Sequence, residues 1–233
     1  MPTKKTRIRT LPLPSVLIVG ASRGIGLELA RQHLQDGCQV TATVRRKSDA
    51  RKLGALGAKV ILFDAVKSPT AAVARAAGAA DIVIYNAGVY GDGNRVSVVQ
   101  KKTNFDKVMQ ANVFGALRLT AAVAARLSKR KGKLVFISSR MGSIGLMTNG
   151  NGVVYRASKA AVNAVARSAA LDFGPRGLTV LTMHPGWVRT GMGGRNAEID
   201  VAASVSGIRA TIAKATPRNN GQFLDYTGHK LAW

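Results

Sequence analysis

A tyrosine and a lysine on one turn of a predicted helix are the first residues of this sequence that could do chemistry. The pattern Tyr155-x-x-x-Lys159 opens a helical stretch, and positions i and i+4 lie on the same helix face. An ammonium group beside a phenol favours the phenolate and lowers the phenol pKa from about 10. Such a phenol exchanges a proton with a carbonyl or alcohol oxygen near neutral pH. The alternative is a Tyr/Lys pair on the surface of an ordinary amphipathic helix.

Two further polar side chains lie where a reacting oxygen could be held. Ser139 follows the strand pattern Leu134–Ile137, which places a hydroxyl at the carboxyl edge of a sheet. Ser138 and Ser143 are the alternatives for this position. Asn112 lies inside a long apolar helical pattern, where a hydrogen-bonding role in the core is the alternative to a functional one.

A glycine-rich turn separates the apolar run Val16–Val19 from the helical pattern that follows it. The turn reads Gly20-Ala21-Ser22-Arg23-Gly24-Ile25-Gly26. Glycines here let the chain bend sharply, let the backbone approach a phosphate and let the helix pack on the strand. The free N–H groups of a helix N-terminus attract an anion. Because the spacing differs from the common dinucleotide fingerprint, a simple tight turn is the alternative.

Arginines follow the second predicted strand, where many dinucleotide-binding proteins have an acidic residue. That strand ends at Val44 and is followed by Arg45 and Arg46. A carboxylate there would hold a ribose hydroxyl and repel a 2′-phosphate, whereas an arginine pairs with the phosphate. Arg23, inside the glycine turn, is a second candidate. The sequence therefore predicts NADP(H) in preference to NAD(H), with solvated surface arginines as the alternative.

Short apolar runs alternate with helical patterns along the chain. Seven runs predict strands: Val16–Val19, Gln39–Val44, Val60–Phe63, Ile82–Tyr85, Leu134–Ile137, Leu178–Met183 and Phe223–Leu224. Helical patterns cover Gly26–Gln35, Ser48–Leu53, Thr70–Ala77, Phe105–Leu127 and Tyr155–Phe173. The alternation predicts an α/β protein with a doubly wound, mostly parallel sheet. Ligands of such sheets bind at the carboxyl ends of the strands.

The composition is that of a folded protein with a large basic excess. The 233 residues include 35 Lys and Arg against 11 Asp and Glu, a formal net charge of +24, and 46% are hydrophobic. These values exclude intrinsic disorder and predict a single domain over residues 15–233. The single cysteine, Cys38, excludes an intramolecular disulfide framework and a cysteine-based zinc site. No metal site is predicted.

Residues 1–14 are interpreted as a basic tail, since they hold four Lys and Arg, two prolines after residue 10 and no acidic residue. A targeting segment for an organelle is the alternative. The sequence shows no secretory signal pattern and no run approaching the ~18 apolar residues of a membrane span, which predicts a cytoplasmic protein. The charge also suggests nucleic acid, but scattered basic residues and 5% aromatic content disfavour specific recognition.

Taken together, these motifs resemble those of the short-chain dehydrogenase/reductase family. The motifs are Gly20-x-x-x-Gly24-x-Gly26, Asn86-Ala87-Gly88 after the fourth strand, Asn112, Ser139, Tyr155-x-x-x-Lys159 and Pro185-Gly186. The resemblance extends from about Val16 to the end of the sequence. It implies a single Rossmann-like domain whose sheet contains all seven predicted strands.

The resemblance also implies roles for the candidate residues. Tyr155 would be the general acid in carbonyl reduction and the base in alcohol oxidation. Lys159 would hold the nicotinamide ribose and lower the pKa of the phenol. Ser139 would bond the substrate oxygen, and Asn112 would anchor a water molecule in a proton relay. Asp64 would lie near the adenine.

Further cofactor contacts implied by the resemblance come from the glycine turn and from the ends of strands. They are Gly20, Ser22, Arg23, Gly24, Ile25, Gly26, Arg45, Asn86, Ala87, Gly88, Pro185, Gly186, Val188 and Thr190. Thr190 is the candidate partner of the nicotinamide carboxamide.

Two features depart from the common pattern of the family. Val19 replaces the usual threonine before the first glycine, so a hydroxyl that would brace the turn is missing. Ser139 precedes Tyr155 by 16 residues, a longer spacing than in most members, with the insertion in the loop Gly142–Gly152. The longer spacing resembles the sniffer-type carbonyl reductases and C-factor-like proteins within the family.

The resulting expectation is an NADP(H)-dependent oxidoreductase that acts on a small carbonyl or alcohol. The segments Tyr90–Asn104, Met141–Val154 and Gly191–Ser206 are predicted to line the substrate pocket. They and Trp187 contribute several apolar side chains, which favours an apolar substrate. The alternative function is a non-catalytic signalling protein that binds a dinucleotide. A homo-oligomer formed through the two long helices is also possible within this family.

Overall fold

Seven apolar segments of the chain form the strands of one parallel sheet. The computed structural model describes residues 13–233, so most of the predicted basic tail lies outside the described residues. The strands are β1 (Ser15–Val19), β2 (Gln39–Val44), β3 (Lys59–Leu62), β4 (Ile82–Tyr85), β5 (Lys133–Ile137), β6 (Thr179–His184) and β7 (Gln222–Asp225). Their order is β3-β2-β1-β4-β5-β6-β7. The predicted doubly wound α/β fold is confirmed, and all six strand pairs are parallel.

Helices cover both faces of this sheet. They are α1 (Gly24–Gln35), α2 (Lys47–Ala55), α3 (Ala71–Ala79), α4 (Lys102–Met109), α5 (Gly115–Ser128), α6 (Val153–Phe173) and α7 (Val201–Lys214). The apolar sides of α1, α2 and α7 bury residues such as Leu29, Leu53 and Ile208 against one face. The other face is covered by α3, α5 and α6. Strands buried on both faces explain the continuous apolar runs of the sequence.

The long predicted helix Phe105–Leu127 is interrupted by one π-helical turn, Gln110–Phe114, between α4 and α5. A π turn shifts the backbone hydrogen bonds by one residue and is frequent at functional sites. Here the Tyr85 hydroxyl donates to the carbonyl of Ala111 at 2.7 Å. The turn places Asn112 at the end of β4, where the side chain is fully buried.

The same helical segment is longer and more apolar than the sequence analysis expected of any part of the chain. Lys102–Ser128 is long and apolar enough to cross a bilayer by length and composition alone, with a mean hydropathy of 1.3 over its most apolar window. No stretch of that kind was expected from the sequence. In this fold α5 packs between α3 and α6, and Leu119, Val123 and Leu127 are buried in the core. Core packing therefore accounts for the apolar side of α5.

Helix α7 was not predicted, because its second half lies outside the patterns recognised in the sequence and its first half lies in the segment Gly191–Ser206. Asp200 caps α7 by accepting a hydrogen bond from the N–H of Ala203 at 2.9 Å. The buried Ser204 hydroxyl donates to the carbonyl of Pro185 at 2.6 Å. The helix therefore holds the loop that follows β6.

Candidate active site

A cavity of about 710 Å³ opens at the carboxyl edge of the sheet, between the ends of β1 and β4. The strand order reverses direction at this point. In open α/β sheets, ligands bind in the crevice at such a reversal. The glycine turn, the ends of β2 to β6 and the first residues of α6 line the cavity. A cavity therefore lies at the edge of the sheet where the site was predicted.

The glycine turn is packed so closely that side chains are excluded from two of its positions. A Cβ atom at Gly20 would lie 2.8 Å from the Cα atom of Ala87, and one at Gly26 would overlap the Gly20 carbonyl. Gly20 also has a φ of +91°, a region that favours glycine. The Asn86 amide donates to the Gly20 carbonyl at 2.7 Å. Asn86, which follows β4, thus holds the glycine turn in place through this hydrogen bond.

The hydroxyl missing at Val19 is supplied by a neighbouring strand. The Thr43 hydroxyl of β2 accepts the N–H of Gly20 at 3.1 Å, and the Thr43 carbonyl accepts the N–H of Ala21 at 2.9 Å. Thr43 is buried, so this brace is held by the core. Sequence reasoning missed it because the partner lies 23 residues away from Gly20.

The two arginines that follow β2 have different surroundings. Arg46 pairs with Asp49, with Nε 3.0 Å from Oδ2. Arg45 and Arg23 are exposed at the cavity wall, and within residues 13–233 neither side chain has a carboxylate partner. Lys67, which was not predicted, lies on the same wall. This end of the cavity therefore offers three cations to an anionic ligand.

Lys67 belongs to a loop that the structure fixes from two sides. The Asp64 carboxylate accepts the N–H groups of Val66 at 2.8 Å and Lys67 at 3.2 Å. From α5, the Arg118 guanidinium donates to the carbonyls of Ala65 and Val66 at 2.8 and 2.6 Å. Asp64 lies on the cavity wall, its Oδ1 atom organises the loop, and its place near the adenine stays a prediction.

At the other end of the cavity, Tyr155 and Lys159 lie on the first turns of α6, both buried. The Lys159 Nζ atom donates to the Ile137 carbonyl at 2.9 Å and lies 5.6 Å from the centre of the Tyr155 ring. The Ser139 hydroxyl lies beside the Tyr155 phenol and favours its ionised form. Ser138, in contrast, is buried and bonded to Asn163 at 2.6 Å. Of these two adjacent serines, Ser139 is the one that lies beside Tyr155.

Burial dominates the proton affinities of the pair. It raises the pKa of the Tyr155 phenol above its ordinary value, and the Ser139 hydroxyl beside the phenol opposes this rise. Burial lowers the pKa of Lys159 to about 8. Burial, the Ser139 hydroxyl and Tyr90 are the influences on the phenol pKa in this geometry, and the lowering of that pKa by Lys159 stays a prediction. At neutral pH the phenol keeps its proton.

Asn112 lies directly behind the wall of the cavity rather than on it. Its amide forms hydrogen bonds to both backbone groups of Val89, at 2.8 and 3.0 Å, and to the Ser158 hydroxyl at 2.9 Å. A Cβ atom at Gly88 would lie 3.1 Å from the Asn112 Oδ1 atom and 3.6 Å from the Lys159 Nζ atom. Asn112 thus ties the end of β4 to α6, and its side chain has no free hydrogen-bonding atom.

Most of the predicted site residues line the cavity. These are Gly20, Ser22, Arg23, Gly24, Ile25, Arg45, Asp64, Asn86, Ala87, Gly88, Tyr155, Lys159, Pro185 and Thr190. Asn112, Ser139, Gly26, Gly186 and Val188 lie outside its lining. Gly26 packs under the glycine turn and Gly186 packs against Tyr226. Val188 is buried and pairs with Ile199, and its place beside the nicotinamide stays a prediction.

The predicted substrate segments are only partly brought to the cavity. Of their apolar side chains, Met192 lies on its wall. Met141 and Tyr90 meet at Gly152, where a Cβ atom would lie 3.0 Å from the Met141 Cε atom. The Tyr90 ring lies 4.8 Å from the Tyr155 ring. An aromatic surface therefore adjoins the candidate acid.

The residues present fit a dinucleotide with an additional phosphate. The N-terminus of α1 carries no side-chain cap and no acidic residue in its first turn, which leaves its N–H groups for a phosphate. The space over Gly20 and Gly24 adjoins this terminus, and Arg23 and Arg45 stand at the end where a 2′-phosphate would lie. Within residues 13–233 no cluster of His, Cys, Asp and Glu is arranged to hold a metal ion.

Comparison with known proteins places the chain among oxidoreductases of this fold. A family model described as short chain dehydrogenase matches residues 14–200. C-signal of Myxococcus xanthus is 37% identical over 159 residues, which cover 67% of this chain and 94% of that protein. A carbonyl reductase from Pseudomonas aeruginosa PAO1, solved in complex with NADP, is 35% identical with a TM-score of 0.83, covering 95% of this chain and 100% of that chain.

The carbonyl reductase Sniffer of D. melanogaster is similar over the same extent. Its structure has a TM-score of 0.85 and 28% identity, and the match covers 95% of this chain and 100% of that chain. The resemblance inferred from the sequence motifs is confirmed by these matches and by the family model. The chain belongs to the short-chain dehydrogenase/reductase family.

Proposed function

We propose that this protein is an NADP(H)-dependent reductase of small carbonyl compounds, with Tyr155 as the proton donor. The observation that carries the proposal is the meeting of Ser139, Tyr155 and Lys159 at the end of β5, beside a cavity that contains the glycine turn. A phenol, a hydroxyl and an ammonium around one point suit an oxygen that gains a proton.

Each residue has a distinct task in this proposal. Tyr155 donates its proton to the carbonyl oxygen, and its phenol carries that proton at neutral pH because the ordinary pKa of a phenol is about 10 and burial raises it. Ser139 holds the substrate oxygen beside the phenol and stabilises the developing negative charge. Lys159 binds ribose hydroxyls and helps to return a proton to Tyr155 from solvent. Asn112 fixes the backbone at the end of β4 and anchors a water molecule of this proton relay.

The dinucleotide is held by the glycine turn at its phosphates and by Arg45 and Arg23 at the 2′-phosphate. When bound, it supplies the hydride that the protein itself lacks. Support for NADP(H) comes from the two unpaired arginines and from the similar Pseudomonas aeruginosa reductase, whose structure contains NADP. Lys67 is a further candidate contact of the phosphate.

The substrate is proposed to be apolar or aromatic. Tyr90 packs against Tyr155, and Met192 lines the cavity. Ile144, Met147 and Trp187 are large apolar side chains that stay roughly half exposed or more on loops predicted to face the substrate. Exposed apolar side chains on such loops favour an apolar ligand.

The direct test is the consumption of NADPH by the purified protein with a panel of aldehydes and ketones. We expect turnover of aromatic and aliphatic carbonyl compounds, and little turnover of charged sugars. Turnover confined to charged substrates would contradict the apolar pocket. Absence of turnover with every carbonyl compound, together with tight NADPH binding, would contradict the assignment as a reductase.

A second candidate function is signalling by a dinucleotide-bound protein without turnover. The observation that favours it is the 37% identity with a protein named C-signal. The two functions are distinguished in cells by the variant Tyr155→Phe. A reductase loses its biological activity with this change, whereas a ligand-dependent signalling protein that still binds NADPH keeps it.

A further inference from the structure

The end of the sequence turns back from the outer edge of the sheet towards the candidate site. After β7 the chain makes a turn that the Asp225 carboxylate closes. Its Oδ1 atom accepts the N–H groups of Thr227 and His229, each at 2.9 Å. This turn is a compact hydrogen-bonded unit, so the residues that follow it leave in a fixed direction.

The residues Lys230–Trp233, here called the strap, run back along the free edge of β7. Lys230 pairs with Leu224 in an antiparallel bridge, and the N–H of Leu231 donates to the Phe223 carbonyl at 2.8 Å. The Trp233 ring stacks on the Phe223 ring, with centroids 5.4 Å apart and planes 24° apart. Because Phe223 is fully buried, this stack anchors the strap to the core.

The strap holds the loop that connects Ser139 with Tyr155. The Trp233 carbonyl accepts the N–H of Ile144 at 2.7 Å. A Cβ atom at Gly145 would lie 3.7 Å from the Ala232 Cβ atom, which indicates direct packing. Between residues 143 and 148, the bond to Trp233 is the one backbone hydrogen bond that links the loop to another part of the described chain.

The position of this loop bears on the substrate because of what lies at its two ends. It starts at Ser139, whose hydroxyl accepts the N–H of Met141 at 3.1 Å. It ends at Gly152, immediately before α6 and close to Tyr155. Between these ends it carries Ile144 and Met147, which are 73% and 47% exposed. A loop tied to the fold at its centre presents these side chains in one arrangement.

We propose that the strap is a substrate-positioning element and that Trp233 is its anchor. By fixing the backbone of Ile144, it sets the wall against which the apolar part of the carbonyl compound packs, and it touches neither the reacting atoms nor the dinucleotide. This inference rests on the proposed function. It predicts a change in substrate affinity with little change in the chemical step.

The test compares Trp233→Ala with Trp233→Phe and with a matched control, Leu56→Ala. Leu56 is 42% exposed, close to the 41% of Trp233, and lies at the end of α2. For the best aldehyde of the panel, Trp233→Ala is expected to raise KM about two- to tenfold, since a stacked aromatic pair contributes ~0.5–1.5 kcal/mol and 1.4 kcal/mol corresponds to tenfold. The kcat value and the Kd for NADPH are expected to stay unchanged.

Hydrogen exchange at the Ile144 amide gives a second readout that does not need activity. Exchange should become faster in Trp233→Ala and stay slow in Trp233→Phe and Leu56→Ala. The proposal is overturned if KM and Ile144 exchange in Trp233→Ala match the wild type, or if NADPH affinity and kcat fall as KM rises. If the wild-type protein reduces no carbonyl compound, the proposed function fails, while Ile144 exchange still decides whether the strap holds the loop.

Discussion

The two edges of the sheet both gather charged side chains around a cavity, but they use them differently. At the amino edge, a cavity of about 460 Å³ is lined by several basic residues that already have partners. Arg209 pairs with Asp36, Arg130 pairs with Asp81 at 2.9 Å, and Lys133 donates to the carbonyl of Ile212 at the end of α7 at 2.6 Å. These charges connect the ends of helices and strands to one another.

At the carboxyl edge, Lys159 also donates to a carbonyl, that of Ile137 at 2.9 Å, but two arginines of the cavity wall have no carboxylate partner in the described part of the chain. Arg45 and Arg23 have no carboxylate partner within residues 13–233, although Arg46 beside them pairs with Asp49. Neighbouring backbone segments pack closely there at Gly20 and Gly26, where a Cβ atom would collide with its neighbours. Cations paired inside the protein indicate a structural role, whereas unpaired cations around a glycine turn indicate a site for an anion.

The two edges do not differ in having a buried histidine, because each has one. His33 at the amino edge and His184 at the carboxyl edge both have buried ring nitrogens without a hydrogen-bond partner in the described part of the chain. Burial lowers the pKa of each to about 4. The difference between the edges therefore lies in the pairing of charges and the approach of backbone, and the following changes test it.

The largest expected effect is at Tyr155. Tyr155→Phe removes the only hydroxyl that donates the proton in the proposed reaction and should lower kcat by about 10²–10⁴-fold. NADPH binding, measured by fluorescence titration, should be retained because the glycine turn and arginines are intact. A variant that kept more than a tenth of the wild-type kcat, with an unchanged Tm, would remove Tyr155 from the chemistry.

The next largest effect concerns the unpaired cation Arg45. Arg45→Glu replaces a charge-assisted contact of ~1.5–3 kcal/mol with a repulsion, so the Kd for NADPH should rise about 10- to 100-fold. The Kd for NADH should change much less. Arg46→Glu is the matched control, since Arg46 is engaged with Asp49. Equal losses in both variants would mean that overall charge, rather than a phosphate contact, governs binding.

A smaller effect is expected from the brace of the glycine turn. Thr43→Val keeps the shape of the side chain and removes the acceptor of the Gly20 N–H. The loss of about 1 kcal/mol should lower Tm by a few degrees and weaken NADPH binding roughly fivefold. Thr41→Val, on the same strand, is the control because its hydroxyl has no side-chain hydrogen bond within residues 13–233. If Thr41→Val weakens NADPH binding as much, the brace has no special role.

The smallest effect is expected at the amino edge, and only in acid. The pKa of His33 is lowered from 6.5 to about 4 by burial, so the unfolded chain binds a proton that the folded chain excludes. Stability is therefore present above pH 6.5 and is lost as the pH falls towards 4. His33→Gln should reduce this loss in urea unfolding at several pH values, without changing kinetics at pH 7.

The control for that measurement is Leu56→Ala, which changes an exposed side chain without a titratable group. It should leave the acid dependence of the unfolding free energy as it is in the wild type. A kinetic defect in His33→Gln at pH 7 would contradict the division of the molecule into a structural edge and a ligand-binding edge.

The local sequence predicted much of the fold and of the site. The strands were recognisable because segments buried on both faces must be continuously apolar, as in Val16–Val19 and Ile82–Tyr85. The glycine turn and Tyr155-x-x-x-Lys159 were recognisable because their geometry depends on neighbours within one or two turns of chain. Arg45 was found since the end of β2 must lie beside the glycine turn in any doubly wound sheet.

The features that were missed depend on partners far apart in the sequence. Thr43 braces Gly20 and Arg118 holds the loop of Lys67, and neither contact has a local pattern. Helix α7 was missed because its alanine- and serine-rich sequence carries a weak periodic signal. Nothing in the sequence indicated that the Asn112 amide bonds to Val89 and Ser158, and its expected role in anchoring water stays a prediction.

By itself, the sequence determined the fold class, the glycine turn and the order of the candidate catalytic residues, because local backbone preference and burial leave their marks in residue type and spacing. Tertiary structure alone decided which charges are paired, which serine meets Tyr155, and in which direction burial shifts the pKa of the phenol and the ammonium. These properties depend on desolvation and on contacts across the sheet, and both arise only when distant segments pack together.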